Sequence, residues 1–150
     1  MANISSYLEE AILNHVFRNT AYTSPVTVYV GLVSDTAVDA DMEAGTLTNE
    51  ITGYNEAARQ AVTFGAPTQE EGKATIKNSA ADIEFTLMPE VTVKYAIICD
   101  TDGDFGGTGP DGNILYWCPL VDGEGTPITK FVNVGDTFRI PMNELILDLD

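Results

Sequence analysis

The sequence predicts a mainly β protein, an antiparallel jelly-roll-like β-sandwich led by one short N-terminal α-helix. Three observations point there. Residues 6–18 place apolar side chains at helical spacing; from Pro25 the chain switches to an alternation of period two; and short apolar runs then recur between turn residues without intervening helical runs. Strands that follow one another in this way build antiparallel layers, whereas a parallel sheet needs crossover helices. With 150 residues, 44 % of them hydrophobic, the chain can fill one sizeable core, so a single domain over residues 1–150 is expected, with the sandwich occupying about residues 25–150.

The helix is expected to start at Ser6, which can cap it with Glu9 three residues on, and to end at Asn19-Thr20. Leu8, Ile12 and Val16, with Ala11 and His15, fall on one side. A helix of little more than about three turns is marginal alone in water, so this stripe should pack on the chain's own sheet or, alternatively, on a neighbouring subunit. Val26, Val28 and Val30 against Thr27 and Tyr29 mark the first strand. The polar, acidic stretch from residue 34 to 52 reads as a long surface arm. Further strands are expected at residues 59–64, 73–77, 83–87, 91–99, 114–120, 137–141 and 144–149, the last tying the C-terminal segment into a sheet.

Seven basic against 23 acidic residues give a formal charge of −16, which repels a phosphate backbone, so nucleic acid is not an expected partner. The acids are spread through loops, which reads as a solvated surface or as carboxylates that meet cations or a basic partner. No apolar run approaches the roughly 18 residues of a membrane helix, and the first residues lack the pattern of a secretory signal. If the segments ending at Cys99 and beginning at Asn113 pair as a hairpin, Cys99 lies opposite Asn113 and Cys118 opposite Lys94, roughly 17 Å apart along the strand. A disulfide needs Cα atoms within about 7 Å, so two free thiols in a reducing compartment are expected.

Candidate chemistry concentrates in residues 100–112. Asp100, Asp102 and Asp104 alternate in a glycine-rich loop and Asp111 stands at its twelfth position, an arrangement that can converge on calcium, which takes six to eight oxygens in irregular geometry. Phe105 stands where a calcium-binding EF-hand needs glycine, and the flanks read as strands. The alternative is a hydrated hairpin loop of turn-forming Asp and Gly. His15 is the single histidine, which excludes an H-E-x-x-H metal site; there is no Gly-x-Ser-x-Gly elbow, and His15 is expected to pack partly buried under the sheet. The glycines 103, 106, 107 and 109 offer no phosphate cradle, because neither a helix nor a lysine follows them. A glycosidase would pair two carboxylates in a cleft with aromatic platforms, yet the one tryptophan, Trp117, lies mid-strand beside Tyr116. No enzyme is expected, and calcium is the one cofactor the acidic loop could take.

The helix-to-strand junction over residues 7–33, Arg59-Gln60-Ala61-Val62-Thr63-Phe64, Asn78-Ser79-Ala80 leading into Ile83-Glu84-Phe85, the strand from Gly112 to Trp117 and the stretch from Val132 to Pro141 together resemble a family of small tailed-bacteriophage virion proteins, described as head decoration or tail-fibre-like. The junction Gly53-Tyr54-Asn55-Glu56-Ala57-Ala58-Arg59-Gln60 carries extra residues relative to the Gly-Tyr-x-Arg-Gln pattern of that family. The resemblance implies a non-enzymatic virion structural protein, assembled in the host cytoplasm, with other virion proteins (the major capsid protein or tail proteins) as partners, and a homo-oligomer is expected. A capsid decoration or cement protein that stabilises the head shell is the first reading. A tail or tail-fibre component acting in host attachment is the alternative, and a calcium-dependent carbohydrate-binding module using the acidic loop with Trp117 and Tyr116 is a third.

Overall fold

A computed structural model of the chain describes residues 3–52, 59–103 and 112–149. It is mainly β and antiparallel, with two helices, in the order β1 (Asn3–Ile4), α1 (Ser6–Arg18), β2 (Val28–Ser34), α2 (Asp39–Glu43), β3 (Gln60–Val62), β4 (Thr68–Glu70), β5 (Lys73–Lys77), β6 (Ile83–Phe85), β7 (Val91–Cys99), β8 (Ile114–Pro119), β9 (Lys130–Val132), β10 (Phe138–Ile140) and β11 (Ile146–Leu149). The main sheet runs β1-β8-β7-β2-β3, and β9 continues the β8 edge of β7. Two small sheets, β10-β6 and β11-β5-β4, complete the strands.

One face of the main sheet, carrying Val30, Leu32, Ala96 and Ile98, packs with Ile83 and Phe85 of β6, Ile140 of β10 and Leu147 of β11. This is the sandwich-like core, and its second layer is divided between the two small sheets. The opposite face carries Val33, Tyr95, Ile97, Cys99 and Trp117, covered by Ala37 and Met42 from the segment that follows β2. With both faces buried, β2 and β7 are apolar along almost their whole length, as doubly covered strands are. Val93 and Tyr95 sit two positions apart yet face opposite cores. The register explains this: Val33 pairs with Tyr95 and Ser34 with Val93, so Lys94 is an extra residue that flips the alternation.

Three expectations are corrected. Residues 34–52 are not a free surface arm, since they form α2 and return along β2, with Ser34 N–H donating to Asn49 O at 3.0 Å and Ile51 N–H to Leu32 O at 2.8 Å. The helix has the expected bounds, but its cap is Ser5, whose Oγ accepts from Leu8 N–H at 3.3 Å. Ser5 wins over Ser6 because β1 holds it extended beside β8, where its own N–H donates to Leu115 O. Finally, α1 buries none of its residues: Leu8, Ala11, Ile12 and Asn14 are half-buried, while Val16 and His15 are exposed. The hydrogen-bonded end of α1 is as expected, with Asn19 left-handed at φ 54°.

The cysteine register also shifts. Cys118 pairs with Ala96 and Cys99 with Ile114, because a bulge between Ile98 and Cys99 absorbs a residue. The two thiols are free, and they belong to opposite faces of the main sheet, a stronger bar to bonding than distance along the strand.

Candidate interaction surfaces

The described residues that flank the acidic loop are tightly bonded to each other as a neck. Asp100 Oδ1 accepts from Asn113 N–H at 2.7 Å and Asp100 Oδ2 from Asn113 Nδ2 at 2.8 Å, so this carboxylate is engaged in closing the loop. Gly112 has φ 76°, and a Cβ there would lie 2.3 Å from Thr101 Oγ1, so only glycine fits the neck. Of the four expected calcium ligands, Asp104 and Asp111 lie outside the described residues, and Asp102 is exposed. Among the described residues no group of three or more His, Cys, Asp or Glu is placed to hold a metal ion.

Beneath the neck lies a buried ion pair. Arg59 and Glu50 side chains are 0 % and 2 % exposed, with Nε to Oε1 and Nη2 to Oε2 both at 2.8 Å, a bidentate fork. Arg59 Nη1 also donates to Thr101 O at 3.0 Å. One guanidinium thereby ties the start of β3, the return of the 34–52 segment and the base of the acidic loop. Gly31 makes room for it, since a Cβ there would meet Glu50 Oε1 at 2.6 Å.

The face covered by α2 is pinned by two aromatic residues. Trp117 Nε1 donates to Glu43 Oε2 at 3.2 Å, Glu43 Oε1 accepts from Ser6 Oγ at 2.8 Å, and Tyr95 Oη donates to Asp39. Tyr95 and Trp117 rings meet edge to face with centroids 5.9 Å apart. Trp117 is thus buried and spent on structure, and Tyr116 faces the other core. The pair cannot serve as one stacking platform for a sugar. His15, expected under the sheet, is exposed, and its Nδ1–H donates to Thr20 O at 3.1 Å at the end of α1.

Several apolar side chains remain open to a partner. On α1, Leu13, Val16 and Phe17 are exposed, Phe17 to 77 %. A groove of ≈ 760 Å³ opens between the end of β8, β9 and β10, with exposed Val121, Ile128 and Phe131 along it. Among the described residues no helix is long and apolar enough to cross a membrane. Burial pushes the Cys99 thiol up to about 12 and the Cys118 thiol up to about 11.

The sequence matches, over residues 3–148, the family described as podophage GP4 fiber I protein gp80. The chain belongs to that family. Membership in the gp80 fiber family bears out the resemblance to phage virion structural proteins drawn from the sequence pieces. No curated protein matches the chain. Within the gp80 fiber fold, sequence reasoning had singled out Arg59 and Asn78 only as parts of motifs, and it passed over Glu50, whose pairing across nine residues leaves no periodic signal.

Proposed function

We propose that this gp80 fiber family member is a non-enzymatic component of the phage tail fibre, and that it holds neighbouring virion proteins together or presents them to the host surface. The match over residues 3–148 to a family described by its fibre carries this reading. It favours the tail over the head-decoration reading, since the matching family is described by its fibre. The structure supports a passive role: Cys99 is buried and its thiol is pushed up to about 12, far from a nucleophile at neutral pH. Partners are other virion proteins, including further copies of this chain.

Deletion of the gene tests the reading. Particles without the protein should keep filled heads of normal heat resistance while adsorption to cells falls by at least about tenfold, as expected when multivalent attachment is lost. Heat-fragile heads with unchanged adsorption would return the protein to the capsid shell.

A further inference from the structure

Four chain passages, distant in sequence, meet around the buried pair beneath the acidic loop. Glu50 arrives from the segment that follows α2, Arg59 precedes β3, Thr101 follows β7, and Asn113 precedes β8. Glu50 is fixed from the side of the main sheet. It bridges to Val33 of β2, its neighbour Ile51 donates its N–H to Leu32 O at 2.8 Å, and Gly31 leaves the space that its carboxylate fills. Thr101 is fixed from the side of the loop. Its neighbour Asp100 accepts both Asn113 donors on its carboxylate and donates its own N–H to Asn113 O at 3.3 Å, while a Cβ on Gly112 would lie 2.6 Å from Asp100 Oδ1.

Arg59 stands between the two. Its Nε and Nη2 donate to Glu50, and its Nη1 donates to Thr101 O at 3.0 Å and to Thr101 Oγ1 at 3.3 Å. A guanidinium is planar and rigid, so these bonds do not adjust one at a time: movement of Thr101 turns the fork away from Glu50, and movement of Glu50 draws Nη1 off Thr101. With the two side chains 0 % and 2 % exposed, water is not at hand to replace a lost partner, and loosening at one end weakens the bonds at the other.

We propose that Arg59 makes the neck of the acidic loop and the passage through Glu50 and Ile51 one conformational unit that opens and closes together. A contact that steadies or loosens the neck is then felt at the return of the 34–52 segment along β2, and the reverse holds equally, because coupling between two sites is reciprocal. Arg59 acts as a positioning residue for both passages. The opening is local, lying below the free energy of global unfolding, since the neck borders the main sheet without belonging to its strands.

Amide hydrogen exchange of the full chain, followed by NMR, tests this. Asn113→Ala removes the Nδ2 donor to Asp100 and leaves the side chains of Arg59, Glu50 and Thr101 in place. Exchange should accelerate at Asp100 and, across the ion pair, at Ile51 by at least about tenfold, the scale of ordinary coupling between sites. Met88, whose N–H donates to Asp136 O at 3.0 Å, and Ile128, whose N–H donates to Leu120 O at 2.8 Å, should keep their rates. From the other end, Glu50→Asp retains the charge but withdraws it by one methylene, and it should accelerate exchange at Asp100. In an Arg59→Lys background, where a single ammonium cannot reproduce the fork, Asn113→Ala should change Asp100 without changing Ile51. Acceleration confined to Asp100 in the otherwise wild-type chain, or spread equally to Met88 and Ile128, overturns the coupling, and Asn113→Ala decides this by itself if Arg59→Lys does not fold.

Discussion

Asn78 is the residue on which the two small sheets meet. It is 1 % exposed, its Oδ1 accepts from Leu145 N–H at 3.0 Å, and its Nδ2 donates to Pro141 O at 3.1 Å. Asn78→Ala should cost about 2–4 kcal/mol in urea unfolding, because it strands a buried donor and an acceptor at roughly 1–3 kcal/mol each while removing little apolar area. The Arg59–Glu50 pair predicts a similar loss. Glu50→Gln leaves a guanidinium buried without its counter-charge and should destabilise by about 3–5 kcal/mol. Cys99 gives a pH signature: its thiol rises from 9.0 to about 12 through burial, so the unfolded chain releases this proton first. Its contribution to stability is therefore complete below about pH 9 and is lost as pH climbs toward about 12, at up to about 1.4 kcal/mol per pH unit. Cys99→Ala should flatten the alkaline slope of stability by one proton, measured by denaturation at stepped pH; an unchanged slope would assign the loss to Cys118, whose thiol burial pushes up to about 11, and to the tyrosines. Little at this scale was legible beforehand. Asn78 and Arg59 were visible as motif members, but what each touches depends on residues up to 67 positions away.

At the level of elements, α1 shows where periodicity misleads. The stripe of Leu8, Ile12 and Val16 was expected to be core, but the inner side combines Leu8, Ala11, Ile12 and Asn14, and Val16 turns outward. Helical spacing identifies an amphipathic face without saying which of two apolar faces meets the sheet. Leu8→Ala or Ile12→Ala should accordingly cost about 1 kcal/mol, well under the roughly 2–5 of a filled core site, and Leu13→Ala should stay within about 0.5 kcal/mol in the monomer. Strands with enough length were readable: Lys73–Lys77 and Val91–Cys99 have the expected bounds. Of the three-residue strands, β3, β6 and β10 lie within the expected segments 59–64, 83–87 and 137–141, whereas β4, Thr-Gln-Glu with every residue exposed, and β9 were not expected. Helix α2 was hidden for a related reason, being five residues with one buried side chain, Met42, and held by Tyr95 and Trp117. Trp117→Phe should keep the ring packing but remove the indole bond to Glu43, leaving it only Ser6, and hydrogen exchange at residues 39–43 should then accelerate with little change elsewhere. Uniform protection would mean that Met42 and the Tyr95–Asp39 bond suffice to hold α2 down.

For the whole molecule, the mainly β antiparallel class followed from strand recurrence, and the virion family from pieces whose order spans most of the chain. The two-faced burial of the main sheet was not legible, because the segment that covers its second face is polar and acidic and reads as loop. Neither was the groove, which is assembled from residues 96 to 145 across several strands. A scaffold of this kind acts through its outer surface, so the account stands on where the protein sits in the particle. Immunogold labelling of intact virions measures that directly: label confined to the tail, lost in particles lacking the gene, is the predicted result, and label distributed over the head shell, or a purified virion without the protein, would contradict it.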